Sequence, residues 1–201
     1  MIIKIVCAGD NHFPYLYKKE EDEFIIAVDG GLEYLAKEGI VSDIAIGDFD
    51  SCVLDNYKDC YKEKITFNSR KDESDLELAI RYAIKKNSGK IIIYNATGKR
   101  LDHFYASILL LSNYNENNIE LVDKSNRITV IKESKVFNKN SYKYISFFAL
   151  EEGVNISLEG FSYDINNYHL EMNNPLCLSN EIKTLGKVTL NNKKVLVIEA
   201  N

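Results

Sequence analysis

Through its first 122 residues this chain alternates short apolar, β-branched runs with stretches of helical spacing, and that alternation restricts the fold more than any other feature. Residues 2–7, 23–28, 43–46, 64–68, 90–94 and 119–122 read as strands. Residues 32–38 and 101–112 read as helices. A third helix opens at the capping box Ser74-Asp75-Leu76-Glu77, carries Leu76, Ala79, Ile80, Ala83 and Ile84 on one face, and closes at Asn87-Ser88-Gly89. The run Lys90-Ile91-Ile92-Ile93-Tyr94 is nearly all isoleucine, as a strand covered on both faces requires. Helices between strands are the crossovers that parallel pairing needs, so an α/β domain with a mostly parallel sheet flanked by helices is expected.

After residue 124 the helical spacing stops. Residues 128–131, 142–150, 155–158, 168–172 and 176–178 are strand-like, and 187–190 with 194–199 read as a hairpin turning at Asn191-Asn192. The expectation is a second, smaller all-β domain of sandwich type, with boundaries at 1–124 and 125–201.

Composition narrows function by exclusion. A net charge of −5 and an isoelectric point near 5.3 lack the basic footprint that nucleic acid demands. No apolar run reaches membrane-spanning length, and residues 1–6 are too short for a secretory apolar segment. The four cysteines form no Cys-x-x-Cys pair and the three histidines are widely spaced, which argues against zinc and for a cytoplasmic protein with reduced thiols.

The polar residues gather at strand ends: Gly9-Asp10, Asp29-Gly30-Gly31, Gly47-Asp48-Phe49-Asp50-Ser51, Asp72 with Asp75, and Gly98 to Asp102. In open parallel sheets ligands bind at the carboxyl ends of strands, so these loops are expected to share one crevice. In extended backbone Asp48 and Asp50 point the same way. Such a pair suits Mg²⁺ on nucleotide phosphates, although a solvated acidic turn explains Asp-x-Asp taken alone. Asp75 would be a third carboxylate, with Lys71 near it for phosphate, or simply an acidic residue favoured in a first helical turn. Gly98-Lys99-Arg100 before a helix offers close backbone approach and two cations to an anion, or else a basic turn capped by Asp102; it is not a Walker loop.

Taken in order, Asp29-Gly30-Gly31, Gly47-Asp48-Phe49-Asp50-Ser51, Lys71-Asp72-Glu73-Ser74-Asp75-Leu76 and Thr97-Gly98-Lys99-Arg100-Leu101-Asp102-His103 resemble the thiamin pyrophosphokinase (thiamin diphosphokinase) family. Gly160-Phe161-Ser162-Tyr163 and Ser179-Asn180-Glu181 resemble motifs of that family's second domain. The resemblance implies an enzyme that transfers the diphosphoryl group of ATP to the hydroxyl of thiamin. It implies a catalytic ATP and Mg²⁺ domain at 1–124 and a thiamin-binding domain at 125–201. Asp48, Asp50 and Asp75 would hold Mg²⁺. Asp29, Gly30, Lys71, Gly98, Lys99 and Arg100 would lie on the nucleotide side, with Asp75, Arg100, Asp72 and Asp102 in catalysis. Asp72, Asp102 and solvent remain alternatives as proton acceptor. Tyr163, Ser179 and Asn180 would meet thiamin. A homodimer sharing its site between subunits is implied as well. Departures from the family pattern are Lys99 where a glycine is usual, Asn95 near another usual glycine, and Ser42 in place of a proline. A pterin-directed diphosphokinase and a non-enzymatic nucleotide or thiamin sensor are the alternative readings.

Overall fold

A computed structural model describes residues 1–49, 54–66, 72–86, 88–98 and 100–201. Asp50, Lys71 and Lys99, with the last two residues of the strand expected at 64–68, lie outside the described residues. The chain divides into two compact units: Met1–Leu110 with Glu116–Lys124, and Leu111–Asn115 with Ser125–Asn201.

In the first unit six parallel strands stand in the order β4-β3-β2-β1-β5-β6. They are β1 (Ile2–Val6), β2 (Glu23–Val28), β3 (Ser42–Gly47), β4 (Tyr61–Thr66), β5 (Lys90–Tyr94) and β6 (Ile119–Val122). The helices are α1 (Phe13–Leu16), α2 (Gly31–Lys37), α3 (Asp75–Lys85) and α4 (Leu101–Asn113), with a 3-10 turn at Leu54–Tyr57. Strand alternation sorts the apolar residues. Val6, Ile25, Ala27 and Ala45 pack with Phe13, Leu32 and Leu35 on one face. On the other face α3 lies on β1–β3 with Ala79, Ile80 and Ala83 buried, and Phe24 stacks on Tyr82. Burial on both faces is what the near-continuous isoleucine runs prescribe.

The chain steps outward from β1 to β4, then returns to the far side of β1 as β5. That reversal sets the loops after β1 and β5 side by side, and their main chains stay paired past the strands. Cys7 N–H donates to Tyr94 O at 3.0 Å, Gly9 to Asn95 O at 2.8 Å and Asp10 to Thr97 O at 2.9 Å. A strand-order reversal is where open α/β sheets form their binding crevice.

The second unit is a β-sandwich. One layer is β7 (Asn126–Ile131), β13 (Val195–Ala200) and β9 (Tyr144–Ala149). The other is β11 (Ile165–Leu170), β10 (Val154–Phe161), β12 (Ile182–Leu190) and β8 (Lys135–Asn138). Alternate residues fill the core between them, among them Ile145 and Phe147 of β9, Ile156 and Leu158 of β10, and Val195 and Val197 of β13. Phe147 meets Phe137 and Phe161 edge-on at 6.2 and 5.8 Å.

Two local expectations fail here. The segments 187–190 and 194–199 are not a hairpin: β12 pairs with β10 and β8, whereas β13 fills the slot between β7 and β9. Asn191 makes the corner between layers, accepting from Asn155 N–H at 3.0 Å and donating to Gly153 O at 2.8 Å. Residues 176–178 are a turn rather than a strand. Leu176 N–H goes to the Asn174 side chain at 3.0 Å and Leu178 N–H to Pro175 O at 3.0 Å, so local partners take the donors a ladder would need.

Candidate active site

Three loops at the carboxyl ends of the first unit's strands bring acidic residues together. Asp29 follows β2 at φ +46, Asp48 follows β3, and Asp75 is the first residue of α3. The N-cap of α3 is Ser74, whose hydroxyl accepts from Glu77 N–H at 3.2 Å, and this fixes where Asp75 stands. The Asp29 carboxyl meets that of Asp75, with Asp48 beside them. Burial, then the Asp75 hydrogen bond and charge, and last the Asp48 charge push the Asp29 carboxyl up to about 7, against the pull of the Phe49 amide. Asp29 Oδ1 is buried without a hydrogen-bond partner. Gly47 permits this approach, because a Cβ there would stand 1.8 Å from Asp29 Oδ1. The sequence puts Asp29 on the nucleotide side; the structure places it inside the acidic cluster. The signal was its position directly after a strand.

These hard oxygen donors, crowded and only partly satisfied, suit Mg²⁺ in chemistry. Among the described residues, no three acidic, histidine or cysteine side chains already converge in a metal-coordinating arrangement. Cys7, buried at the end of β1, is no nucleophile: burial and then the Asp29 charge push its thiol up to about 12.

The loop after β5 carries Arg100. Arg100 holds Asp102 with a two-pronged contact, Nε to Oδ1 at 3.0 Å and Nη2 to Oδ2 at 2.5 Å, and both side chains are exposed. That hydrogen bond, opposed by desolvation and aided by the His103 amide and the charges of Arg100 and His103, holds the Asp102 carboxyl well below the usual carboxylate range. Asp72 is exposed, two residues before the α3 cap. Gly30 is the N-cap of α2.

The second unit presents Tyr163 with its side chain 73% exposed, and Ser179 exposed at φ +54. Asn180, next to Ser179 in the chain, is only 3% exposed. Its Oδ1 accepts from Tyr163 N–H at 3.0 Å and Glu181 N–H at 2.9 Å, and its Nδ2 donates to Tyr163 O at 2.8 Å. The Asn180 amide is thus engaged by the main chain of Tyr163 and of Glu181.

Residues 15–122 match the profile of the thiamin pyrophosphokinase catalytic domain, and residues 125–197 that of the thiamin pyrophosphokinase vitamin B1 binding domain. The chain belongs to the thiamin pyrophosphokinase family. It is 34% identical over 190 residues to the thiamine pyrophosphokinase of Bacillus subtilis (strain 168), covering 90% of this chain and 89% of that one. The crystal structure of a Bacillus subtilis thiamine pyrophosphokinase superposes with a TM-score of 0.88 at 29% identity, over 100% of this chain and 99% of the other. That of the Geobacillus thermodenitrificans thiamin pyrophosphokinase gives 0.87 at 29% identity, over 100% and 98%. The acidic cluster and the Arg100 loop lie within the match to the catalytic domain. Tyr163, Ser179 and Asn180 lie within the match to the vitamin B1 binding domain.

Proposed function

We propose that the acidic cluster and the Arg100 loop of this thiamin diphosphokinase carry the transfer of the ATP diphosphoryl group to the hydroxyl of thiamin, yielding thiamin diphosphate and AMP. The family match across both halves of the chain supports the reaction. The carboxyl cluster at the strand ends is the observation that supports the site. The hydroxyl oxygen of thiamin bonds to the β-phosphorus of ATP, the bond from that phosphorus to the bridging oxygen of AMP breaks, and the hydroxyl proton leaves to an acceptor.

Asp48, Asp50 and Asp75 would hold Mg²⁺, with Asp29 joining them. A Mg²⁺ ion held by these carboxylates would supply charge neutralisation to the phosphates. Asp29 ties Asp75 to the end of β2, so the carboxylates from three loops act as one group. Arg100, with Lys71 and Lys99, balances phosphate charge, and Gly98 lets the backbone come close. Asp102 aims the Arg100 guanidinium through its two contacts. The proton acceptor is Asp72, Asp102 or water. Tyr163 offers a ring to the thiazolium cation and Ser179 a hydroxyl to the pyrimidine, while the Asn180 side chain holds the main chain of Tyr163.

The working form is a cytoplasmic homodimer, with the site shared between subunits and no role for nucleic acid or membrane. Leu101, Tyr105 and Leu109, exposed at 73%, 65% and 47% on one face of α4, support a covering partner. No helix among the described residues is long and apolar enough to cross a membrane. The deciding experiment incubates the protein with Mg-ATP and thiamin and looks for AMP and thiamin diphosphate. ADP, or no turnover together with tight thiamin binding, would overturn the reaction.

A further inference from the structure

We propose that Asn95 is a positioning residue for the transfer, acting by clamping the loop after β1 onto the loop after β5. The inference builds on the diphosphokinase reading of the site. Asn95 directly follows β5, is 0% exposed and has a φ of +58. Asparagine tolerates that left-handed conformation better than most side chains. Tolerance does not account for the burial, because a buried amide must find hydrogen-bond partners. This one finds them on the facing loop. Its Oδ1 accepts from His12 N–H at 2.9 Å and Phe13 N–H at 3.1 Å, and its Nδ2 donates to Asn11 Oδ1 at 3.1 Å.

His12 stands at the N-cap of α1, and its own side chain makes no cap hydrogen bond. Asn95 therefore caps that turn from 83 residues away. The main chain fastens the same two segments, through Gly9 N–H to Asn95 O and Asp10 N–H to Thr97 O. The outcome is a specific juxtaposition: Asp10 lies on Gly98, where an added Cβ would stand 2.9 Å from Asp10 N and 3.1 Å from Asp10 Oδ1. Gly98 opens the loop assigned to phosphate. Any shift of residues 9–13 therefore moves the surface against which that loop rests.

The same two loops hold polar atoms that the protein leaves unpaired. His12 Nδ1 and Thr97 Oγ1 are buried without hydrogen-bond partners. Holding such groups still is what a preorganised crevice requires, and it has a cost that a purely structural asparagine would not explain. The Asn95 side chain is engaged by Asn11, His12 and Phe13, so it acts through the loop rather than on the reacting atoms.

The test compares the parent enzyme with Asn95→Gly and Asn95→Asp. Glycine accepts the backbone angle and removes the clamp. Aspartate keeps an oxygen that accepts from both His12 and Phe13 N–H, and the Asn11 amide can turn to donate to its second oxygen. Thermal midpoints, kcat, and KM for Mg-ATP and for thiamin are measured on each. Expected is a folded Asn95→Gly enzyme with kcat down by about tenfold or more, the scale of a small misplacement, and an unchanged KM for thiamin. Asn95→Asp should recover most of that loss. Parental kinetics in Asn95→Gly, or an Asn95→Asp enzyme equally impaired, overturns the inference. Should Asn95→Gly not fold, Asn11→Ala removes only the acceptor of Asn95 Nδ2 and leaves the two N–H bonds to Asn95 Oδ1 in place. A smaller fall in kcat is then expected, and none overturns the inference. A parent that makes no thiamin diphosphate defeats the reaction reading instead. Calorimetric binding of a non-hydrolysable Mg-ATP analogue still tests the clamp in that case: about tenfold weaker binding by Asn95→Gly supports it, and equal affinity overturns it.

Discussion

The strand β2 carries a carboxylate at each end, and the two have opposite fates. At its start, Glu23 Oε2 receives Lys4 Nζ at 2.6 Å and Glu20 N–H at 3.1 Å, while Oε1 receives Tyr17 O–H at 2.6 Å. Lys4, fully buried on β1, also donates to Lys18 O and lies 4.5 Å over the Tyr17 ring. Just past the other end, Asp29 faces Asp75 and Asp48. Burial pushes both carboxyls up. For Glu23 the hydrogen bonds from Lys4 and Tyr17, the Glu20 amide and the Lys4 charge outweigh it and hold the group below its ordinary value. For Asp29 the neighbours add to burial. Partners, not depth, set the sign.

One end of β2 thus meets its polar groups from within, and the other leaves them unmet. The second unit repeats the first pattern. Buried Glu199 takes Arg127 at 2.6 and 2.7 Å and Asn140 at 2.7 Å. Among the described residues, the buried side-chain atoms without partners belong to His12, Asp29 and Thr97, all in strand-end loops of the first unit. These loops are the ones proposed as the crevice, and unmet buried polar atoms are what a ligand could satisfy.

The contrast is broken most directly at the acidic cluster. Asp48→Asn, Asp50→Asn and Asp75→Asn should each lower turnover by about a hundredfold or more at saturating Mg²⁺, the scale of a lost electrostatic contact. Their unfolding midpoints should hold or rise, because repulsion is relieved. Near-parental AMP release from all three would erase the distinction between the two ends. Glu23→Gln should do the reverse. It should cost about 2 kcal/mol in urea unfolding, by weakening the partner of a buried cation, and leave kcat unchanged. A marked loss of kcat in the folded variant would place the network in the chemistry.

Ser74→Ala should cost about 1 kcal/mol through the lost cap, with turnover far closer to the parent than that of Asp75→Asn. Normal unfolding combined with abolished turnover would make the hydroxyl a ligand. The smallest effect is on pH dependence. Glu23 is depressed below its ordinary 4.5 in the folded protein, so the unfolded chain takes up its proton first. Its contribution is whole above that value and is lost as pH falls through the folded one. The stabilities of the parent and Glu23→Gln should therefore converge on acidification. Parallel curves would show that Glu23 is not the group responsible.

Much of this was legible in the chain. Isoleucine runs and helical spacing prescribed the parallel sheet, and the Ser74 cap forms as its motif requires. The 4-residue helix α1 escaped notice because its cap comes from Asn95, far away in sequence. Strand β8 is only Lys135–Asn138 and buries Phe137 alone, too little to stand out. The supposed last hairpin followed local turn chemistry, but the pairing partners of β13 lie in distant segments.

The sequence by itself determined which residues must be covered and which kinds of chemistry stand at the strand ends, because periodicity and residue type are local properties. Only the tertiary structure decided that Asp29 faces Asp75, that Glu23 faces Lys4 and that Asn95 caps α1. A side chain's electrostatic and hydrogen-bonding fate depends on atoms within a few ångströms, and in a sheet of reversed strand order those atoms come from residues far apart along the chain.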